Sequence, residues 1–223
     1  MKVIQVAIDG PAGAGKSTIS KELARQLGYV YIDTGAMYRA AALYCIEKGI
    51  SIRTDIPSVL SVLDEIQIGF KQEDGLHVLL NGRDVSDEIR TNAVSMGASD
   101  IAVIPEVRLK LVELQRAIAA EENVVMDGRD IGTYVLPDAT VKIYLTASPE
   151  VRAKRRHLEL KEKGVEVEFE TVLKEMKARD KNDSEREFAP LRQADDAILL
   201  DTSELTLEES IAAMQRLVEE NIG

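Results

Sequence analysis

The run Gly10-Pro11-Ala12-Gly13-Ala14-Gly15-Lys16-Ser17 constrains this chain more than any other stretch. The segment before it, Val3 to Ile8, reads as a short buried strand. The segment after it, Ser17 to Leu27, reads as an amphipathic helix. Strand, loop and helix together satisfy the phosphate-binding pattern G-x-x-x-x-G-K-[ST]. The glycines let the backbone curl so that several N–H groups point inward at phosphate oxygens. The helix that follows aims its positive dipole end at the same anion. Lys16 would reach the β- and γ-phosphates, and the Ser17 hydroxyl would ligate Mg²⁺. The pattern predicts a site for a nucleoside triphosphate and leaves open what becomes of it.

A chain of 223 residues can bury one full core with room for an insertion or a lid. Aromatic residues make up only 4% and aliphatic residues dominate, which suits an α/β domain with strands buried on both faces. The formal charge of −11 argues against a general nucleic-acid or anionic-membrane surface. A local arginine cluster can still reverse the field inside a cleft. Cys45 is the single cysteine, so no intramolecular disulfide can form and a reducing compartment is expected. It is read as a small core residue within Ala40 to Ile46. His77 and His157 lie far apart with no cysteine partners, so no zinc site is expected. The N-terminal apolar run is cut by Gln5 and Asp9, and no apolar stretch approaches membrane-spanning length. A cytoplasmic protein is expected.

Five apolar runs look like strands of a parallel sheet: Val3–Ile8, Tyr29–Ile32, Val124–Met126, Val141–Leu145 and Ala197–Leu200. Helical patterns separate most of them, which predicts an open α/β sheet with functional residues at the strands' carboxyl ends. Asp9, Asp33, Asp127 and Asp201 all occur where a strand runs out. The stretch from about Leu63 to Ala98 breaks the alternation. Ile66–Lys71, a turn at Gln72–Gly75, Leu76–Leu80, a turn at Asn81-Gly82, and Arg83–Val85 read as a small antiparallel meander. It is too small to bury its own core, so it is expected as an insertion within one domain spanning 1–223. Pro105 opens a long helix reaching about Ala120. From Ser148 to about Lys181 the chain is charged and helical, interrupted at Gly164.

Val124-Val125-Met126-Asp127 is an apolar strand ending in an acid, the arrangement that holds Mg²⁺ directly or through water. Arg39, Arg108, Arg129, Arg179 and Arg186 fall near strand ends, in loops or on one edge of a helix. Arginine suits phosphate because its planar fork bonds two oxygens at once. Any one of them alone is better read as part of a solvated face or a surface ion pair. That bland reading is stronger for Arg152, Arg155 and Arg156, which have Glu150, Glu159 and Glu162 at helical spacing.

Taken together these residues resemble the bacterial cytidylate kinases, nucleoside monophosphate kinases with a P-loop. The likeness covers essentially the whole chain. It rests on Ile8 to Ser17, on Asp33-Thr34-Gly35-Ala36-Met37-Tyr38-Arg39, on Asp127-Gly128-Arg129-Asp130-Ile131-Gly132-Thr133, and on Arg179-Asp180 through Asp183 to Arg186 with Ala189-Pro190-Leu191. The meander resembles the family's extra segment in the monophosphate-binding region. The resemblance implies a P-loop kinase fold: a five-stranded parallel sheet flanked by helices, with an antiparallel insertion at about 63–98 and a helical lid at about 150–185. It implies phosphorylation of CMP and dCMP by ATP with Mg²⁺. ATP would be held by Gly10, Pro11, Ala12, Gly13, Ala14, Gly15, Lys16, Ser17 and Thr18, with Arg155 or Arg156 from the lid. Thr34, Arg39, Arg129 and Arg186 would cradle the acceptor's phosphate. Ser99, Arg108 and Asp130 would read the cytosine edge, and Arg179 with Asp183 would hold the ribose hydroxyls. Lys16, Asp127, Arg129 and Arg186 would carry the transfer, with Ser17 and Asp127 at the Mg²⁺. A monomer is expected.

Three other readings stay open at this point. A kinase for UMP, AMP or thymidylate would differ at Ser99, Arg108 and Asp130. A nucleotide-hydrolysing switch or motor would turn over ATP without an acceptor; Lys181-Asn182-Asp183 lacks the order of a guanine-reading N-K-x-D motif. A catalytically dead binding module sits poorly with intact Lys16, Ser17 and Asp127.

Overall fold

A computed structural model describes residues 3–72, 76–162 and 164–222. Along the chain run β1 (Gln5–Asp9), α1 (Lys16–Leu27), β2 (Val30–Asp33), α2 (Thr34–Glu47) and α3 (Ile56–Ser61). Next come β3 (Ile68–Gln72), β4 (Leu76–Leu80), β5 (Arg83–Asp84), α4 (Asn92–Ile101) and α5 (Pro105–Glu121). The rest is β6 (Val124–Gly128), β7 (Val141–Thr146), α6 (Pro149–Glu162), α7 (Phe169–Glu185), β8 (Ile198–Asp201) and α8 (Leu207–Asn221). A single π-helical turn, Ile131–Val135, follows β6. The chain divides into two compact units. One comprises Met1–Tyr31 with Glu121–Gly223, the other Ile32–Ala120.

The large sheet has the order β2-β6-β1-β7-β8, with β2 running across the boundary at Tyr31 and the other four strands in the first unit. β1 pairs in parallel with β6 and β7, and β7 with β8. All five expected strands are present, and each runs one or more residues past the apolar run that marked it. The extra residues at the carboxyl ends include the acids Asp9, Asp33, Asp127 and Asp201. A ladder is made of backbone hydrogen bonds, so it continues into a polar residue where an apolar pattern stops. Register then aligns the ends: Asp9 lies beside Gly128 on one side and Tyr144 on the other. Val6, Ala7, Ile8, Val124, Val125 and Met126 are fully buried in the sheet's centre. Each large apolar side chain buried this way contributes about 1.5–3 kcal/mol. α1 packs on β1, β6 and α8. α8 starts at a capping box: the Glu209 N–H donates to the Thr206 hydroxyl at 3.2 Å and the Thr206 N–H to the Glu209 carboxylate at 2.9 Å. α6 and α7 pack together around Ala153, Val172 and Met176.

In the second unit α2 is apolar nearly all round. Ala36, Met37, Ala40, Ala41, Ala42 and Cys45 are all buried, so it is a core helix rather than a surface one. α4 and β4 pack against it. Cys45 is a packing residue as expected, and burial pushes its thiol up to about 11. The expected meander is a three-stranded antiparallel sheet, β3-β4-β5. Leu80 pairs with Arg83 across Asn81 and Gly82, which have φ of 50° and 81°. That is the two-residue hairpin turn that Asn-Gly favours. Residues 73–75 of the other expected turn lie outside the described ones.

Candidate nucleotide site

The glycine loop leaves β1 through Gly10, whose φ is 151°. A Cβ built there would lie 1.9 Å from the Leu145 carbonyl oxygen, so this position admits only glycine. Gly15 precedes the first helical residue with φ of 90°. Lys16 is buried, and its Nζ donates to the carbonyls of Gly10 at 2.7 Å and Pro11 at 2.8 Å. Burial, and next the Arg129 guanidinium, lower the Lys16 ammonium to about 7 against the pull of Asp127 and Asp9. The lysine is thus held at the loop with its charge poorly compensated, and a polyanion would complete it.

The Ser17 hydroxyl donates to one oxygen of Asp127 at 3.2 Å, and the Tyr31 hydroxyl to the other at 2.8 Å. Asp127 is buried at the end of β6, while Ser17 and Thr18 are exposed at the start of α1. Two oxygen donors this close suit a hard cation such as Mg²⁺ that keeps water and phosphate as its other ligands. Tyr31 was not singled out from sequence; it aligns the carboxylate.

Asp9 was seen from sequence only as an acid at a strand end. Its two oxygens accept the backbone N–H groups of Ile131 and Gly132, both at 2.7 Å. Burial pushes its carboxyl up to about 6, with those two N–H groups opposing. Asp9 therefore anchors the turn that carries Arg129 and Asp130. Arg129 donates from Nε to Asp183 at 2.8 Å and from Nη1 to the Gly128 carbonyl at 3.2 Å. Asp130 is buried with Arg186 Nη2 at 3.3 Å, and Arg186 Nε donates to the Ala189 carbonyl at 2.7 Å. Arg179, on α7, is exposed. Seven of the predicted residues, Lys16, Ser17, Asp127, Arg129, Asp130, Asp183 and Arg186, therefore belong to one polar cluster in the first unit.

The expected lid arginines are differently placed. Arg155 donates to the Thr202 carbonyl at 2.8 Å and the Thr202 hydroxyl at 3.3 Å. Arg156 is exposed and pairs with Glu159 at 2.7 Å. Arg152, read from sequence as a helix-surface ion pair, is instead 3% exposed and bonded to the glycine loop and to α7. A signal for it existed on α7. Val172 and Met176 form an apolar stripe whose helical continuation falls on Asp180 and Asp183.

In the second unit Asp33 caps α2 by accepting the Ala36 N–H at 2.9 Å, and its other oxygen accepts Arg39 Nη2 at 2.9 Å. Thr34, the first residue of α2, is buried. Arg108 is 1% exposed on the inner face of α5. Its Nη1 donates to the Ala102 carbonyl at 3.1 Å, and its guanidinium lies 5.6 Å from the centre of the Tyr38 ring. Burying an arginine is costly unless something needs its fixed fork. Ser99 is exposed on α4, its hydroxyl turned back to the Ser95 carbonyl at 3.5 Å.

A five-stranded parallel sheet with a glycine loop between its central strand and the first helix, and acids at the strand ends, defines a P-loop kinase fold. A crystal structure of an uncharacterized protein from Eubacterium ventriosum shares this fold with a TM-score of 0.50, at 15% identity over 98% of both chains. The family profile described as cytidylate kinase matches residues 6–220. The chain is 55% identical to a protein named cytidylate kinase from Caldicellulosiruptor saccharolyticus, over 100% of this chain and 99% of that one. It is 54% identical to one of the same name from Caldicellulosiruptor bescii, over 98% and 96%. The chain belongs to the cytidylate kinase family. Among the described residues no helix is long and apolar enough to cross a membrane.

Proposed function

We propose that this chain transfers the γ-phosphoryl group of ATP to CMP or dCMP, releasing ADP with CDP or dCDP. The observation that carries this reading is the full-length likeness to proteins named cytidylate kinase. The polar cluster around Lys16 supports it, because in-line phosphoryl transfer needs positioned cations rather than a covalent intermediate. Lys16 and the loop from Gly10 to Thr18, through the backbone N–H groups of its residues other than Pro11, hold the ATP phosphates. Ser17 and Asp127 would hold Mg²⁺, Asp127 directly or through water, and the ion would supply charge neutralisation on the phosphates. Arg129 and Arg186, with Thr34 and Arg39, take the acceptor's phosphate. Arg179 and Asp183 take the ribose hydroxyls.

Base selection follows from hydrogen-bond polarity. Cytosine offers an exocyclic amine, which Asp130 accepts, and acceptors at N3 and O2 for Arg108 and Ser99. Uracil puts a carbonyl opposite the carboxylate, a mismatch of about 1–3 kcal/mol. Arg155 and Arg156 are the lid cations that close over ATP and exclude water; Arg155 must release Thr202 to do so. The chain works as one kinase domain over 1–223, with 63–98 an insertion and 150–185 the lid. It is a cytoplasmic monomer that binds neither nucleic acid nor membrane, in keeping with its acidic balance.

The test is ADP release from ATP and Mg²⁺ with CMP, dCMP, UMP, AMP, dTMP or no acceptor. Strong turnover with CMP and dCMP is expected. Turnover without acceptor would point to a hydrolytic switch and would remove every acceptor role given above.

A further inference from the structure

Arg152 is a buried cation for which the reaction so far has no use. It sits in the first turn of α6, and its guanidinium joins three separate segments. Nε donates to the Ala147 carbonyl just past β7 at 2.8 Å. Nη1 donates to the Ala12 carbonyl in the glycine loop at 2.9 Å. Nη1 and Nη2 grip the two oxygens of Asp180 on α7 at 3.1 and 2.6 Å. A bidentate arginine–carboxylate pair fixes orientation as well as distance.

The bond to Ala12 bears on phosphate binding. In a trans peptide the carbonyl and the next N–H point in opposite directions. Holding the Ala12 carbonyl toward Arg152 therefore turns the Gly13 N–H away from it. A second contact works the same way: a Cβ at Gly13 would lie 2.6 Å from Met176 Cε, so α7 packs directly on the loop's tip. The other two carbonyls at the start of the loop, Gly10 and Pro11, are held by Lys16, which a triphosphate would draw on. The Ala12 bond does not depend on that lysine.

The Asp180 bond bears on the acceptor. Asp180 lies on α7 between Arg179 and Asp183, and Asp183 accepts Arg129 at 2.8 Å. One run of side-chain bonds thus leads from the glycine loop through Arg152 and Asp180 to α7, and from α7 through Asp183 to Arg129. We infer that Arg152 is a positioning residue that ties the glycine loop to α7, so that triphosphate binding at the loop and monophosphate binding at the α7 residues strengthen one another. This rests on the assignment of ATP and CMP made above.

The experiment is calorimetric titration of the full chain with CMP, alone and with saturating Mg²⁺ and a non-hydrolysable ATP analogue. The wild type is expected to bind CMP about 5-fold or more tightly when the analogue is present, a usual size for coupled sites. Arg152→Lys and Asp180→Asn should bring that ratio to about 1 while binding CMP alone within a few-fold of wild type. A merely structural role would lower the melting temperature and leave the ratio intact. A wild-type ratio near 1, or an unchanged ratio in folded variants, overturns the inference even where CMP turnover is normal. If CMP is not phosphorylated at all, the functional reading falls and this inference with it. Hydrogen exchange on the wild type needs no variant: CMP alone should slow exchange at residues 12–15, and unchanged exchange there overturns the coupling.

Discussion

ATP binding should draw a proton onto Lys16. In the nucleotide-free protein burial holds its ammonium at about 7 instead of the ordinary 10.5. That difference corresponds to about 5 kcal/mol favouring the neutral amine. A bound triphosphate places negative charge beside Nζ and favours the ammonium. At pH 8, ATP is fully ionised and about nine-tenths of Lys16 is neutral before binding, so each binding event should take up about 0.9 proton. At pH 6 the lysine is already charged and its uptake should fall to about 0.1. The lysine's linkage runs in one direction: its contribution to affinity is full below pH 7 and weakens up to tenfold for each further pH unit. The assay is isothermal titration calorimetry at pH 8 in buffers of different ionisation enthalpy, where the slope of apparent enthalpy counts protons. A slope near zero for the wild type, or an undiminished slope for Lys16→Met, would refute the argument.

Gly10→Ala should abolish stable folding, because its Cβ meets a backbone carbonyl at 1.9 Å within β7. Gly13→Ala meets only the flexible Met176 tip and a left-handed φ of 74°, costing about 1–2 kcal/mol; equal melting temperatures for the two would contradict this. Asp130→Ala should narrow the CMP-over-UMP ratio of kcat/KM by about 10-fold or more while KM for ATP stays near wild type. An unchanged ratio would remove Asp130 from base reading. Asp9 has a folded value of about 6 against an ordinary 3.8, so its stabilising proton binding is full below pH 4 and lost as pH rises through 6. The contribution is about 3 kcal/mol. Asp9→Asn should therefore flatten the stability–pH curve between 4 and 6 in urea melts, and a slope equal to wild type would count against the assignment.

The sheet was legible because parallel strands buried on both faces are written as unbroken aliphatic runs, as in Val124-Val125-Met126. The placement of Lys16 at the glycine loop and of Ser17 against Asp127 was legible because the phosphate-loop pattern ties residue type to spacing. The hairpin at Asn81-Gly82 was legible because two consecutive positive φ angles leave few residues to choose from. Asp9 was only half legible. Its partners are backbone N–H groups 122 and 123 residues away, and a backbone group leaves no mark on side-chain identity.

Arg152 shows where local pattern misleads. Glutamates at helical spacing made it look like a surface pair, yet its carboxylate partner is 28 residues on and its other bond reaches a loop 140 residues back. Arg108 teaches the converse. Arg108, Leu111, Val112, Gln115 and Ala119 form one helical stripe, and all are buried. An arginine inside a largely apolar stripe has been placed there against its solvation cost, and that conflict between pattern and chemistry is itself a signal of function. The same rule applied along α7 picks out Asp180 and Asp183 on the face begun by Val172 and Met176, whereas the exposed Arg156–Glu159 pair on α6 obeys the local pattern and carries no such signal. In a chain of net charge −11, the two arginines that break helical patterning are each buried within their own unit, Arg108 on the Ala102 carbonyl and Arg152 on Asp180 and two loop carbonyls, and a cation buried at that cost is worth testing for a use of its geometry.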